Sequence, residues 1–169
     1  MNDSTDDISR WLQARPFQDN PQRVESPAGQ TFNTWDEWVD KGREIPDFEN
    51  RLLSILAYDK DPVNRSAAAL ALGFVGEDAS IKPLIMILET DVPMVAMEAA
   101  ASLGRLGRPE AIEALCASLK NADSNVRANA CTALGYLGGE KARSCLTDAE
   151  KDSDTFVQAA AKEALQRSK

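Results

Sequence analysis

The chain of 169 residues contains no histidine, only three cysteines and few aromatic side chains, which make up 6% of it. Without histidine it cannot build a serine–histidine or cysteine–histidine nucleophile, an imidazole metal site or a histidine pH switch. The cysteines, Cys116, Cys131 and Cys145, include no pair at CxxC spacing. We therefore expect reduced thiols, no metal site and no cofactor.

Long hydrophobic runs and excess positive charge are also missing. The longest nearly apolar stretch, residues 67–76, is too short to span a bilayer. The N-terminus is acidic, unlike a secretory signal. Acidic side chains outnumber basic ones by 27 to 19, and the net charge of -8 argues against general nucleic-acid binding. These absences predict a cytoplasmic protein that contacts neither membrane nor nucleic acid.

The composition divides the chain into two parts. Residues 1–33 are rich in polar residues and proline, which predicts a partly disordered N-terminal arm. Ile8, Trp11 and Leu12 would share one face of a short helix within this arm. Residues 34–169 carry apolar residues at helical spacing, and from residue 57 onward they are rich in alanine. We expect one helical domain there.

A sequence repeat with a constant period runs through the helical part. The sequence ALGFVG at 71–76 recurs as SLGRLG at 102–107 and as ALGYLG at 133–138. Such a period predicts a stack of helix pairs. The predicted units are 61–90, 91–121 and 122–152, with a degenerate capping pair at 34–60 and a C-terminal capping helix at 153–169.

Each unit is predicted to contain a first helix, which carries the Ala-Leu-Gly or Ser-Leu-Gly sequence, and a second helix after it. Asp61, Asp123 and Asp154 suit the N-cap of a first helix, and Pro62 and Pro93 suit its first turn. The glycines 73, 104 and 135 fit helix C-caps. The arginines 65 and 127 lie four residues after a capping aspartate, which predicts an ion pair within the unit.

The motif over residues 123–138, DSNVRANACTALGYLG, resembles the short HEAT-like repeat, also called the phycobilisome-lyase-type HEAT repeat. The resemblance covers residues 61–169 well and residues 34–60 weakly. It implies an all-α fold, a right-handed α-solenoid of about four to five helix pairs with an irregular N-terminal arm. It further implies that the second helices line the concave side.

Equivalent positions of successive second helices, one repeat period apart, form a candidate partner-binding surface that mixes apolar and charged side chains. Tyrosine, arginine and methionine are favoured at such interfaces. Two tryptophans of the capping pair are candidates for a second contact. The candidates are Arg51, Ile55, Tyr58, Lys82, Met86, Glu89, Glu113, Lys120, Trp35 and Trp38. Alternatively, the N-terminal arm covers this strip with Trp11 or Phe17.

The sequence therefore predicts a non-catalytic adaptor or scaffold that binds a protein or peptide. The resemblance leaves a second possibility, a bilin lyase-type protein that handles the chromophores of phycobiliproteins. Cys116 and Cys131 are interpreted as small core residues. Cys145 is either another such residue or, beside Lys141 and Arg143, a reactive thiol.

Overall fold

The computed structural model describes Ile8, Trp11, Leu12 and residues 35–168, with the side chains of all of these except residues 35 and 36. Every regular element of that part is helical, which confirms the all-α prediction. A short 3-10 turn, Pro109–Ala111, leads into the sixth α-helix. The α-helices are α1 (Trp35–Arg43), α2 (Phe48–Tyr58), α3 (Pro62–Val75), α4 (Asp78–Thr90), α5 (Pro93–Leu106), α6 (Ile112–Ser118), α7 (Ser124–Leu137), α8 (Gly139–Ala149) and α9 (Thr155–Arg167).

The helices form two layers. The first helices α3, α5, α7 and α9 pack on one another in chain order, and the second helices α2, α4, α6 and α8 do the same. Between the layers lies a core of leucine side chains, all fully buried: Leu72, Leu84, Leu103, Leu115, Leu134 and Leu146. A stack in which each helix pair contacts its neighbours is an α-solenoid, as predicted.

Aspartate caps begin three of the first helices, as predicted. The side chain of Asp61 accepts a hydrogen bond from the N–H of Val63 at 2.9 Å. Asp123 and Asp154 cap α7 and α9 in the same way, each at 2.8 Å. An N-cap of this kind contributes about 1 kcal/mol. The repeated aspartates therefore mark where these helices start.

The repeated glycines have a different role from the predicted one. Gly73, Gly104 and Gly135 lie inside their helices, which continue for two more residues. A Cβ atom on Gly104 would stand 2.9 Å from the Cα of Ala133, and one on Gly135 would stand 2.8 Å from the Cα of Ala164. The prediction of C-caps is wrong because these glycines are needed where consecutive first helices cross. The caps are the later glycines, Gly76, Gly107 and Gly138.

Two arginines each tie a first helix to the loop before the next first helix. Nε and Nη2 of Arg65 donate to the carboxylate of Asp91 at 2.7 and 2.6 Å, and Arg127 binds Asp152 with two bonds of 2.8 Å. In both pairs the side chains are at most 16% exposed. Each arginine also donates through Nη1 to two carbonyls of the loop before its own helix. The predicted partners four residues earlier are wrong, since those aspartates cap their helices.

The start of the chain packs against the first helix pair. Ile8, Trp11 and Leu12 are helical and buried, in agreement with the predicted short helix. The rings of Trp11 and Trp38 stack with centroids 3.8 Å apart, and each indole N–H donates to the other residue's carbonyl. Phe48 meets Trp11 edge-on at 4.6 Å. This aromatic cluster closes the N-terminal end of the described core.

Candidate interaction surfaces

Most of the predicted contact residues on the second helices are exposed. Tyr58, the last residue of α2, is 82% exposed, and Met86 in α4 is 51% exposed. Glu113 of α6 pairs with Lys141 of α8 at 3.1 Å. Lys82, Glu89 and Lys120 also face solvent. The predicted surface therefore has two exposed apolar side chains among charged ones.

The remaining predicted contact residues are less available. Ile55 is half-buried and packs on the core. Arg51 is half-buried too, and its Nη2 atom has no hydrogen-bond partner although it is shielded from solvent. Trp38 is fully buried, so its assignment as a partner contact is wrong: it stacks on Trp11 instead. The side chain of Trp35 lies outside the described part.

The N-terminal residues are the alternative cover for this surface. Trp11 does not reach the strip of exposed second-helix residues, because it is engaged with Trp38 and Phe48 at the first helix pair. Phe17 lies outside the described residues. Tyr58 and Met86 are thus not covered by any described residue of the arm.

Two of the three cysteines form a disulfide, which corrects the prediction of reduced thiols. Cys116 in α6 is bonded to Cys145 in α8, with the Cα atoms 5.8 Å apart. Both are half-buried rather than enclosed core residues. Cys131 in α7 is free and buried, as predicted, and burial raises its pKa to about 12. Only Cys116 and Cys145 can therefore meet a reagent from solvent.

The disulfide lines a cavity of about 460 Å³ between α6 and α8. Three lysines and three carboxylates surround it, so the cavity carries mixed charge. The charged lining residues are Glu113, Lys120, Lys141, Asp148, Lys151 and Asp152. Two of the predicted contact residues, Glu113 and Lys120, thus lie at the same cavity as the disulfide.

A second surface lies outside the residues that the sequence predicted. Seven large hydrophobic side chains of the described residues are exposed, and only Tyr58 and Met86 belong to second helices. The other five lie on the first helices or just before one: Val63, Val92, Met94, Tyr136 and Phe156. The exposed apolar area therefore lies mostly on the first-helix side.

Most of these side chains belong to two rows, each with one position in every successive first helix. Positions eleven residues apart in an α-helix lie only about 20° apart around its axis, so both rows share one face. We call the eight positions together the first-helix face. One row consists of Val63, Met94, Asn125 and Phe156, and the other of Phe74, Arg105, Tyr136 and Arg167.

The second row alternates aromatic and arginine side chains. The guanidinium of Arg105 lies 4.9 Å from the ring centroid of Phe74, and that of Arg167 lies 4.8 Å from the ring centroid of Tyr136. Each such contact contributes about 0.5–1 kcal/mol at an exposed site. A cavity of about 480 Å³ opens between α5 and α7, with Arg105 and Tyr136 in its lining. The first-helix face therefore offers planar groups beside an open cavity.

The signal for this face is present in the sequence. The positions equivalent to Phe74 in the next three first helices hold an arginine, a tyrosine and a second arginine. The same repeat period relates equivalent positions in both helices of each pair, so it indicates this row as well as the second-helix candidates. The alanines of the first helices indicate close packing. They do not indicate that other positions of the same helices are exposed.

Metal-binding and membrane-spanning features are absent from the described residues. Among them, no group of three or more cysteine, aspartate or glutamate side chains is arranged to hold a metal ion. None of the helices between residues 35 and 168 combines the length and the apolar character that crossing a membrane requires.

Comparison with known families agrees with this architecture. The model of the family described as HEAT repeats matches residues 91–166, the region from the start of α5 to the last turn of α9. No curated protein matches the chain. Together with the stacked helix pairs and their small-residue crossings, the match supports a HEAT-like repeat family over that region.

Proposed function

We propose that the chain is a non-catalytic adaptor or scaffold that binds a protein or peptide partner on its first-helix face. HEAT repeats commonly mediate interactions between proteins. The observation that carries the proposal is the double row of exposed apolar and arginine side chains along consecutive first helices. Aromatic, methionine and arginine side chains are enriched at protein interfaces.

Helix packing supports this choice of face. Glycine and alanine let the first helices approach closely, whereas contacts between consecutive second helices are much sparser. A two-layer stack curves toward the layer whose helices lie closer together. The first-helix face would then be the concave one, which is why we do not retain the concave assignment of the second helices.

The proposed partner offers apolar and planar side chains in an extended segment. Such a segment can cross several units and place one side chain in the cavity between α5 and α7, where Arg105 and Tyr136 would stack on it. The negative net charge of the chain disfavours nucleic acid as the partner. We also propose a cytoplasmic location.

Capture from the native host tests the proposal. Tagged full-length protein is purified gently, and proteins that elute with it are identified and then titrated as purified partners. The double variant Tyr136→Glu with Phe156→Glu should lose more than about tenfold in affinity, because buried aromatic contacts dominate binding energies. Its helical content, measured by circular dichroism, should stay unchanged.

The matched control is the double variant Tyr58→Ala with Met86→Glu on the second helices. It should bind the partner as the parent chain does. Loss of binding in this variant alone would move the site to the second-helix surface, and binding unaffected by both variants would refute a repeat-face site. Visible absorption of the same preparation tests the bilin-handling alternative, which no contact among the described residues favours.

A further inference from the structure

The junction between the second and third repeat units differs from the junctions on either side of it. Arg65 ties the start of the first unit to the start of the second, and Arg127 ties the start of the third to the loop before α9. Ala96 occupies the corresponding position in α5. A bidentate arginine–carboxylate tie of this kind cannot form there, since alanine has no donor.

The disulfide joins the two units at this same junction. Cys116 belongs to the second unit and Cys145 to the third, and the bond connects α6 directly to α8. The exposed ion pair between Glu113 and Lys141 also spans this junction, but exposed ion pairs contribute little to stability. The disulfide therefore crosslinks the one junction of the three at which Ala96 replaces the arginine.

Both cavities lie at the junction too. One opens between α6 and α8 beside the disulfide, and the other opens between α5 and α7 on the first-helix face. Helices that border open space on both sides of the stack have fewer packing contacts to hold their spacing. Without the covalent bond, this junction would have neither the disulfide nor the buried arginine tie of the junctions on either side.

We propose that Cys116 and Cys145 form a thiol–disulfide exchange site through which a dithiol reductant loosens the junction between the second and third units. The exchange itself is independent of the proposed function. Its consequence for binding rests on that function, because Arg105 and Tyr136 stand on opposite sides of the junction on the first-helix face.

The exchange is a balanced two-electron reaction. A thiolate of the dithiol attacks one sulfur of the Cys116–Cys145 bond, forming a mixed disulfide and releasing the other cysteine as a thiolate. The second thiol of the reductant then displaces the first cysteine. The products are two protonated cysteine thiols and the oxidised, disulfide form of the reductant.

Access and selectivity favour this pair of cysteines. Cys116 and Cys145 are half-buried and line a cavity of about 460 Å³, which gives a small dithiol a route to the bond from solvent. Cys131 is buried and its raised pKa keeps it as the unreactive thiol. In the proposed cytoplasmic location a disulfide would be of the transient, redox-sensing kind.

Thiol counting on the native full chain is the first test. Mass spectrometry after labelling with a maleimide under denaturing conditions should find one free thiol in mildly oxidised protein and three after dithiothreitol. Labelling without denaturant, after reduction, should modify Cys116 and Cys145 and spare Cys131. Three free thiols in the oxidised sample, or a disulfide that dithiothreitol leaves intact in the native protein, would overturn the exchange site.

Amide hydrogen exchange is the second test. Reduction should speed exchange in α6 and α8 by roughly tenfold or more, because the junction opens locally, while α2 and α3 change little. The double variant Cys116→Ser with Cys145→Ser should behave like reduced protein in both redox conditions. Cys131→Ala, which keeps the bond, should retain the redox response. Equal protection of α6 and α8 in oxidised and reduced protein would refute the loosening.

These two readouts need no partner, so they separate this inference from the adaptor proposal. Where a partner has been identified, reduction should weaken its binding to the parent chain and leave the double serine variant unaffected. Binding that ignores the redox state, with a normal exchange response, would refute the link to the first-helix face and leave the exchange site standing.

Discussion

At the scale of single residues, the glycines 73, 104 and 135 decide how close consecutive first helices come. Alanine at position 104 would gain roughly 1 kcal/mol of helix propensity over glycine. Its Cβ would also overlap the backbone of Ala133, and overpacking of this kind costs about 1–3 kcal/mol. We expect Gly104→Ala to lower the free energy of unfolding, measured by urea titration.

Met94→Ala is the control for this substitution. Met94 lies in the same helix and is 42% exposed, so its truncation should change the free energy of unfolding by no more than about 0.5 kcal/mol. A Gly104→Ala variant that is more stable than the parent would contradict the close crossing.

The contacts between neighbouring helices explain what the sequence could and could not predict at this scale. The disulfide joins cysteines with a sequence separation of 29, and Gly104 meets Ala133 at the same separation. The repeat period identifies equivalent positions in two helices. Residues in contact lie on the facing sides of those helices, so they are not equivalent positions. Their sequence separation is therefore two residues shorter than the period. The sequence therefore predicted the repeat but not the disulfide, because Cys116 and Cys145 do not occupy equivalent positions of the repeat.

At the scale of elements, the stabilisation that the Arg65–Asp91 and Arg127–Asp152 ion pairs provide depends on pH. The two hydrogen bonds from Arg127 hold the pKa of Asp152 below its usual range, and Arg65 does the same for Asp91. A carboxylate whose pKa is lowered by folding stabilises the native state above its unfolded pKa of about 3.9. That contribution is lost as the pH falls through the folded-state value.

We expect Asp152→Asn to lower the free energy of unfolding by about 1.5–3 kcal/mol at neutral pH, because charge-assisted bonds to a half-buried arginine are lost. The difference between parent and variant should shrink as the pH falls from about 4, the pKa of the unfolded carboxylate, through the lower pKa of the folded state. Thermal or urea unfolding over a pH series measures both effects.

An exposed ion pair provides the comparison. Glu163 and Arg167 in α9 meet at 2.6 Å, but Glu163 is 69% exposed. Glu163→Gln should cost less than about 0.5 kcal/mol at any pH. A pH-independent loss in Asp152→Asn would contradict the role given to its charge.

The loops also mark a limit of sequence-based prediction at this scale. The capping aspartates and first-turn prolines predicted where α3, α5, α7 and α9 begin, because a cap depends on residues two or three positions away. The partner of Arg127 lies 25 residues further along, in a loop that comes close only when the units stack. The local sequence pattern therefore predicted the aspartate four residues before Arg127 as its partner.

At the scale of the whole molecule, stability is a sum over units and the contacts between neighbours. The buried cluster of Trp11, Trp38 and Phe48 serves the N-terminal end, far from α7–α9 along the stack. A destabilising substitution at one end should therefore lower the stability of the adjacent helices only. The loss of stability should not spread evenly through the solenoid.

We expect Trp11→Ala to destabilise the N-terminal end by about 3–5 kcal/mol, the usual cost of removing a large buried aromatic side chain. Amide exchange should speed up in α1 and α2 and stay close to that of the parent in α7–α9, because only adjacent units share contacts. Tyr136→Ala, which removes a ring that is 60% exposed, is the control and should leave α1 and α2 unchanged. A uniform loss of protection along residues 35–168 in Trp11→Ala would show that the stack unfolds as one cooperative unit rather than by nearest neighbours.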